Sequence, residues 1–276
     1  MPAPVNHGLK IQRIDVEGKP VVDCDARLVG DTQRGTVLVS GDLKISTIEH
    51  AMAALSAAGV DNCLIQLDGP EMPIMDGSAY YWTKAIERVG TVEQDAERPY
   101  LVIDKVIEVK GKHGEWMRIE PADHFSLEVT TDFGSSILGK MTAVLNDFKD
   151  FPAEISSART FVFVREIEPL LQMGLIKGGD LGNAIVIYEV ELSQERFDAL
   201  TDKLGVSHMD ATQLGYLNPK PLTWPNETTR HKLLDVVGDL ALIRRPIVGK
   251  VTAYKPGHAV NNMFARAILN SIENIE

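Results

Sequence analysis

Residues 46–69, STIEHAMAALSAAGVDNCLIQLDG, place a helix directly ahead of a strand. Ser46 is an N-cap residue by type, Glu49 follows three positions later as in a capping box, and Gly59 supplies a stop. DNCLIQLDG then alternates apolar and polar positions, the period of a half-buried strand. Upstream, residues 1–45 set short apolar runs, LKIQRIDV, PVVDC and TVLVSGDLKI, between Gly and Asp turns, which predicts strands. Downstream, PEMPIMDGSAYYWTKAIERVG is a loop that runs into an amphipathic helix.

The stretch 91–99, TVEQDAERP, is polar and charged, ends in proline, and is the candidate linker. It divides the chain into an N-terminal domain, 1–96, and a C-terminal domain, 97–276. After it YLVIDKVIEVKG, GEWMRIEPA and FSLEVTTDF carry strand patterning. FPAEISSARTFVFVREIEPLLQMG predicts a loop, a strand and a helix, and IKGGDLGNAIVIYEVE a Gly-rich loop before a strong strand. PNETTRHKLLDVVGDLALI is a second well-marked helix, and VGKVTAYKPGHAVNNMFARAILNSI ends the pattern as strand, turn and helix. The fold class is α+β: two sheet-and-helix units with mainly antiparallel strands.

The 276 residues, 44% hydrophobic and 24% charged, are enough for a real core without staples, so a bound metal would serve function rather than folding. A formal net charge of -11 argues against a general nucleic-acid binder, though a local basic pocket for an anionic substrate is compatible with it. No run approaches the roughly 18 apolar residues of a membrane span. The N-terminus, MPAPVNHGLKIQRID, lacks the apolar region of a secretory signal. Cys24 and Cys63 form no CxxC pair, which fits a reducing cytosol.

The chemistry concentrates in HKLLD, 231–235, where His231 and Asp235 project from one helix face about 6 Å apart along the axis. Imidazole and carboxylate at that spacing suit zinc, although such a pair is more often a solvated helix face or a hydrogen-bonded pair. His50 is a third ligand candidate. Glu49 beside it is open to two readings, a capping residue folded back on Ser46 or a base next to a metal. His258, in the turn KPGHAVNN, is a capping or surface residue or a general acid, with Asp239 able to orient it. GLIKGGDLGN matches neither GxxxxGK[ST] nor GxGxxG, which excludes those nucleotide-binding loops.

Six stretches together resemble one family, UDP-3-O-acyl-N-acetylglucosamine deacetylase, the zinc amidase of lipid A biosynthesis. They are STIEHAMAALSAAGVDNCLIQLDGPEMPIMDGSA, SARTFVF, GLIKGGDLGNAIV, LNPKPLTW, TRHKLLDVVGDL and GKVTAYKPGHAVNN, in the family's order. The resemblance implies Zn2+ on His50, His231 and Asp235, Glu49 as general base, and His258 as general acid or electrostatic partner held by Asp239. It implies an oxyanion hydroxyl at Thr160 and substrate contacts at Phe161 and Lys232, the latter suited to a diphosphate as a point charge. Val164, Ile167, Gly179 and Val186 correspond to the family's hydrophobic passage for an acyl chain. The implied architecture is two α/β-sandwich domains facing each other across the active site, and the implied substrate an acylated UDP-N-acetylglucosamine.

The start departs from the family pattern. Members usually begin with a further strand pair containing a GxGLHSG-like stretch, whereas here Met1 precedes PAPVNHG directly, and the expectation is a first sheet without that hairpin. This motivates an alternative, a catalytically weak relative that binds the acylated UDP-sugar, and a third reading is a zinc amidase for another N-acyl sugar. The resemblance also extends to fusions in which the deacetylase precedes a hydroxyacyl-carrier-protein dehydratase, a candidate covalent partner.

Overall fold

The computed structural model describes residues 1–167 and 181–273. The first part of the chain forms β1 (Leu9–Arg13), β2 (Val21–Asp23), β3 (Val29–Asp31), β4 (Val37–Ser40), β5 (Leu43–Ile45), α1 (Glu49–Ala57), β6 (Cys63–Leu67) and α2 (Tyr80–Val89). β1 is central in its sheet, antiparallel to β2 with Ile11 opposite Val22 and parallel to β6 with Ile11 opposite Ile65. Its LKIQR pattern sends Leu9, Ile11 and Arg13 inward, as strand alternation requires. The first residues pair on along this sheet: Pro2 bridges Cys63, and the Met1 amino group donates to the Leu64 carbonyl. β3, β4 and β5 make a separate antiparallel ribbon.

The helix expected from Ser46 starts instead at Glu49, after Ile48, with no side-chain cap. The reason is tertiary. The Ser46 N–H donates to the Pro70 carbonyl at 2.9 Å and its hydroxyl to the same oxygen at 3.4 Å, so residue 46 still belongs to strand-like pairing. The other end behaves as read. Gly59 adopts φ +69, its N–H donates to Ser56, and Val60 N–H reaches back to Leu55, a Schellman closure that favours glycine.

Residues 91–97 are exposed and carry no helix or strand. Beyond them come β7 (Leu101–Val102), β8 (Ile107–Lys110), β9 (Trp116–Glu120), β10 (Ser126–Thr131), β11 (Met141–Leu145), α3 (Phe151–Glu154), β12 (Phe161–Phe163), β13 (Ile185–Tyr188), α4 (Gln194–Leu204), β14 (Gly215–Tyr216), α5 (Glu227–Ala241), β15 (Ile247–Val248), β16 (Lys250–Tyr254) and α6 (His258–Glu273). The main sheet runs β11-β10-β16-β9-β8, antiparallel except where β10 and β16 run parallel. Its inward residues Met117, Ile119, Leu127, Val129, Val251 and Ala253 form the floor of the core. Over that floor α5 packs on β10 and β11, and α6 on β8 and β9. A smaller sheet, β12-β13-β14, stands apart with α4. The fold is α+β, and among the described residues no helix is long and apolar enough to cross a membrane.

One hydrophobic core joins the two parts. Met52 and Leu55 of α1 share a cluster with Leu233, Leu234 and Val237 of α5. α1 lies against α5 at a point where no side chain fits: a Cβ at Gly238 would stand 2.1 Å from the Glu49 carbonyl oxygen. That close approach brings Glu49 and His50 over the polar residues of α5.

Candidate metal centre and active site

α5 is buried on nearly every side, its polar His231, Asp235 and Asp239 included, so these residues are not a solvated face. His231 and Asp235, one turn apart, bring Nε2 and Oδ1 to 3.3 Å. His50 reaches down from α1 to put its Nε2 3.9 Å from the same oxygen. One candidate ligand atom from each of the three residues lies within 4.8 Å of the others. Exposure is 3% for His50, 2% for His231 and 1% for Asp235.

Each residue is prepared as a ligand. His231 Nδ1 lies 3.0 Å from the Ala158 carbonyl, which can only accept, so Nδ1 carries the proton and Nε2 presents a lone pair toward Asp235. Burial, reinforced by the neighbouring His231, pushes His50 down to about 3. Burial also lowers His231. Both imidazoles are therefore neutral at physiological pH, the form a metal requires. Burial opposes ionisation of Asp235, but His231 and Lys232 outweigh it and hold the carboxyl below the usual carboxylate range. Among the described residues neither His50 Nδ1 nor Asp235 Oδ1 has a hydrogen-bond partner. A buried polar atom left so is costly, and a cation held by Asp235 Oδ1 and the two Nε2 atoms would satisfy the carboxylate oxygen. The donor set fits a divalent metal.

Glu49 does not fold back on Ser46. Its Oε2 accepts the Thr36 backbone N–H at 3.1 Å, and its Oε1 faces His258 Nε2 at 3.9 Å. Gly35 leaves the room for this, because a Cβ there would lie 2.8 Å from Oε1. Burial raises Glu49 to about 7, with His258 opposing and Asp235 adding to the rise. His258 opens α6 and donates from Nδ1 to Asp239 Oδ2 at 2.9 Å, leaving Nε2 3.8 Å from Asp235 Oδ2. Burial works against the imidazolium, but Asp239, by charge and hydrogen bond, carries it up to about 9. Glu49 and His258 thus face each other as a weak acid and a stabilised cation.

Lys232 donates to Asp235 Oδ2 at 2.7 Å and sits over the Phe161 ring, 5.5 Å from its centroid. The Phe161 ring in turn meets His231 edge-on at 6.3 Å. Thr160 is held on both sides, donating from its N–H to the Gly77 carbonyl and accepting from the Ile185 N–H, each at 2.7 Å. Val164, Ile167 and Val186 come together in the small core with Tyr188, Phe197 and Leu200. Gly179 lies outside the described residues.

Reading the sequence missed several residues that build this site. Thr36 opens the TVLVS run and reads as a strand residue; its hydroxyl donates to Asp239 Oδ1 at 2.5 Å. Asn261 donates to Asp239 Oδ2 at 2.8 Å. Arg159 and Glu227, 4% and 0% exposed, pair at 2.8 Å and brace the segment that carries Ala158 and Thr160. The one available signal was Arg159 itself, a charged residue inside the small, apolar-flanked run SSARTF.

Comparison with known proteins places these residues in a wider group. The family model described as LpxC: UDP-3-O-acyl N-acetylglycosamine deacetylase matches residues 1–201 and 206–270. The chain is 57% identical over 272 residues to the "Bifunctional enzyme LpxC/FabZ" of Bacteroides thetaiotaomicron, covering 98% of this chain and 59% of that protein. It is 51% identical over 276 residues to the protein of the same name from Porphyromonas gingivalis, covering 100% of this chain and 60% of that one. The "UDP-3-O-acyl-N-acetylglucosamine deacetylase" of Myxococcus xanthus is 40% identical over 271 residues, 98% of this chain and 78% of that protein. The chain therefore spans about three-fifths of the bifunctional relatives and more of the single-activity one. Matched over nearly its whole length, the chain belongs to the LpxC family of UDP-3-O-acyl N-acetylglycosamine deacetylases.

Proposed function

We propose that the chain is a zinc-dependent N-deacetylase that removes acetate from UDP-3-O-(3-hydroxyacyl)-N-acetylglucosamine, a cytoplasmic step of lipid A biosynthesis. The observation that carries this reading is a buried His50–His231–Asp235 set, with Asp235 Oδ1 orphaned, directly beside a high-pKa Glu49 and a cationic His258. Family membership and the names of the relatives support the substrate class. The two bifunctional relatives support a fused second enzyme, which the resemblance makes a hydroxyacyl-carrier-protein dehydratase.

Zinc held by His50, His231 and Asp235 would supply Lewis acidity toward the amide carbonyl and a low-pKa water. The rest belongs to the chain. Glu49 takes the proton of the attacking water at Oε1, the oxygen that Thr36 leaves free. Its raised pKa makes it a competent proton acceptor near neutrality. As the imidazolium that Asp239 stabilises, His258 carries a second proton on Nε2, besides the one Nδ1 donates to Asp239, and gives it to the amide nitrogen as the C–N bond breaks. The Thr160 hydroxyl is assigned to the developing oxyanion, a contact typically worth about 3 kcal/mol. Lys232 and Phe161 flank the metal set and contact the substrate, Lys232 as a point charge for the diphosphate, and Val164, Ile167, Gly179 and Val186 receive the acyl chain. The residues come from both sides of the proposed division between 1–96 and 97–276, which makes the seam between them the active site.

Metal content and acetate release, measured on one sample of the chain, test the reading. The expected result is one zinc per chain and turnover that falls when the 3-O-acyl chain is removed from the substrate. A folded chain that neither binds zinc nor releases acetate overturns it. Sugar binding without turnover favours the binding-only alternative instead.

A further inference from the structure

Thr36 immediately precedes β4 and is 1% exposed. It hydrogen-bonds to both sides of the proton-transfer machinery. Its backbone N–H donates to Glu49 Oε2 at 3.1 Å. Its hydroxyl donates to Asp239 Oδ1 at 2.5 Å, and the same oxygen lies 3.2 Å from His258 Nδ1. We propose that Thr36 is a positioning residue that sets the base and the acid in register, its N–H fixing the Glu49 carboxylate and its hydroxyl fixing Asp239 and, through it, the His258 ring. The inference rests on the deacetylase reading for its effect on rate.

The stereochemistry leaves little choice. A carboxylate accepts only, so the proton between Thr36 and Asp239 comes from the hydroxyl. With Oδ1 occupied, Asp239 turns Oδ2 to His258 Nδ1 and Asn261. Nδ1 is then the donor, and Nε2 is aimed between Glu49 Oε1 and Asp235 Oδ2, 3.9 and 3.8 Å away. The backbone contact does the matching job on Glu49, engaging Oε2 and leaving Oε1 toward the site. Because both contacts come from one residue, base and acid move together or not at all. Asp239 already holds three donors, so loss of the hydroxyl leaves an under-satisfied buried carboxylate that reorients toward its remaining partners.

The test uses zinc-loaded chain with Thr36→Val, which keeps the shape and the backbone N–H, and Thr36→Ser, which keeps the hydroxyl. Thr36→Val is expected to lower kcat about 10- to 100-fold, the usual range for a supporting hydrogen bond, with KM and zinc content little changed. Thr36→Ser is expected to restore most of kcat. The His258 Nδ1 proton gives a second readout by NMR, a downfield resonance present in the wild type and displaced or lost in Thr36→Val. Wild-type kcat in Thr36→Val, or an equal loss in Thr36→Ser, overturns the proposal, the latter because a retained hydroxyl then fails to preserve the rate. If Thr36→Val does not fold, Thr36→Ser decides alone, with near-normal kcat expected and a large loss overturning it. A wild-type chain that releases no acetate sinks the deacetylase reading, and the NMR comparison then still decides Thr36: an unchanged resonance in Thr36→Val overturns its positioning role.

Discussion

Gly238 on α5 and Glu49 on α1 meet backbone to backbone: a Cβ at 238 would lie 2.1 Å from the Glu49 carbonyl oxygen and 3.0 Å from its Cα. Neither atom is the end of a flexible side chain, so the helices must part to admit even a methyl group. Gly238→Ala is expected to cost about 1–3 kcal/mol of stability through overpacking, although alanine is the better helix former. It is also expected to weaken metal binding, since His50 follows Glu49 on α1. Thermal unfolding and a metal titration of the variant check both parts, and a more stable protein with unchanged affinity would contradict the account.

Activity is expected to follow a bell-shaped pH profile. Glu49, raised to about 7 by burial, acts as base only when ionised, so the rate falls as pH drops through its pKa. A bound cation favours the carboxylate and moves that limb to lower pH. His258, held up to about 9 by Asp239, acts as acid only when protonated, so the rate falls again as pH rises through that value. Asp239→Asn is expected to move the alkaline limb down by about one unit or more, because charge and hydrogen bond both supported the imidazolium. A flat kcat/KM from pH 5 to 9, roughly the span these groups cover, would remove both roles.

Glu49→Gln separates metal binding from catalysis. Glu49 is not in the ligand set, and its amide analogue can still accept the Thr36 N–H. The variant is expected to keep its zinc while kcat drops about 10²- to 10⁴-fold, the usual contribution of a positioned base. Loss of zinc together with activity would show that Glu49 is a structural part of the centre.

Arg159 and Glu227 form a buried pair with further hydrogen bonds: Glu227 Oε2 also accepts the Thr223 N–H at 2.6 Å, and Arg159 Nη2 reaches the Pro221 carbonyl at 2.9 Å. Glu227→Ala strands a buried guanidinium and is expected to cost about 3–5 kcal/mol in urea unfolding. Because the pair braces the segment whose Ala158 carbonyl holds His231 Nδ1, zinc affinity is expected to fall with it. A stability loss without any change in affinity would confine the pair to a packing role.

Removal of the metal by a chelator is expected to lower the thermal midpoint, and zinc to restore it, since an ion that binds only the folded chain stabilises it by mass action. The orphaned Asp235 Oδ1, faced by the Nε2 atoms of His50 and His231, gives the physical reason. Differential scanning calorimetry with and without added zinc measures the difference, and identical midpoints would contradict a metal site here.

Local pattern carried the elements well. The alternation in LKIQR, the turn at Gly59 and the His231–Asp235 spacing on one helix are all short-range properties, and each is present in the structure. What the sequence hid is long-range. Ser46 looks like an N-cap until Pro70, 24 residues on, claims its N–H and hydroxyl. Thr36 looks like an ordinary strand residue because the carboxylate it serves is 203 residues away. The polar residues of α5 suggested a wet face, and only the packing of α1 over them makes that face dry. Co-linear motifs named the family, but none of them contains Thr36.

The small sheet with α4 has a hydrophobic cluster of its own, built on Val186, Tyr188, Phe197 and Leu200 and distinct from the main core under α5. Interior exchanges there need not propagate to the ligands. The molecule is in that sense modular: the candidate ligands sit on closely packed helices, while the annex proposed for the acyl chain packs around a cluster of its own. Under the proposed function, a different acyl chain would be met by repacking that cluster and not the helices that carry the candidate ligands.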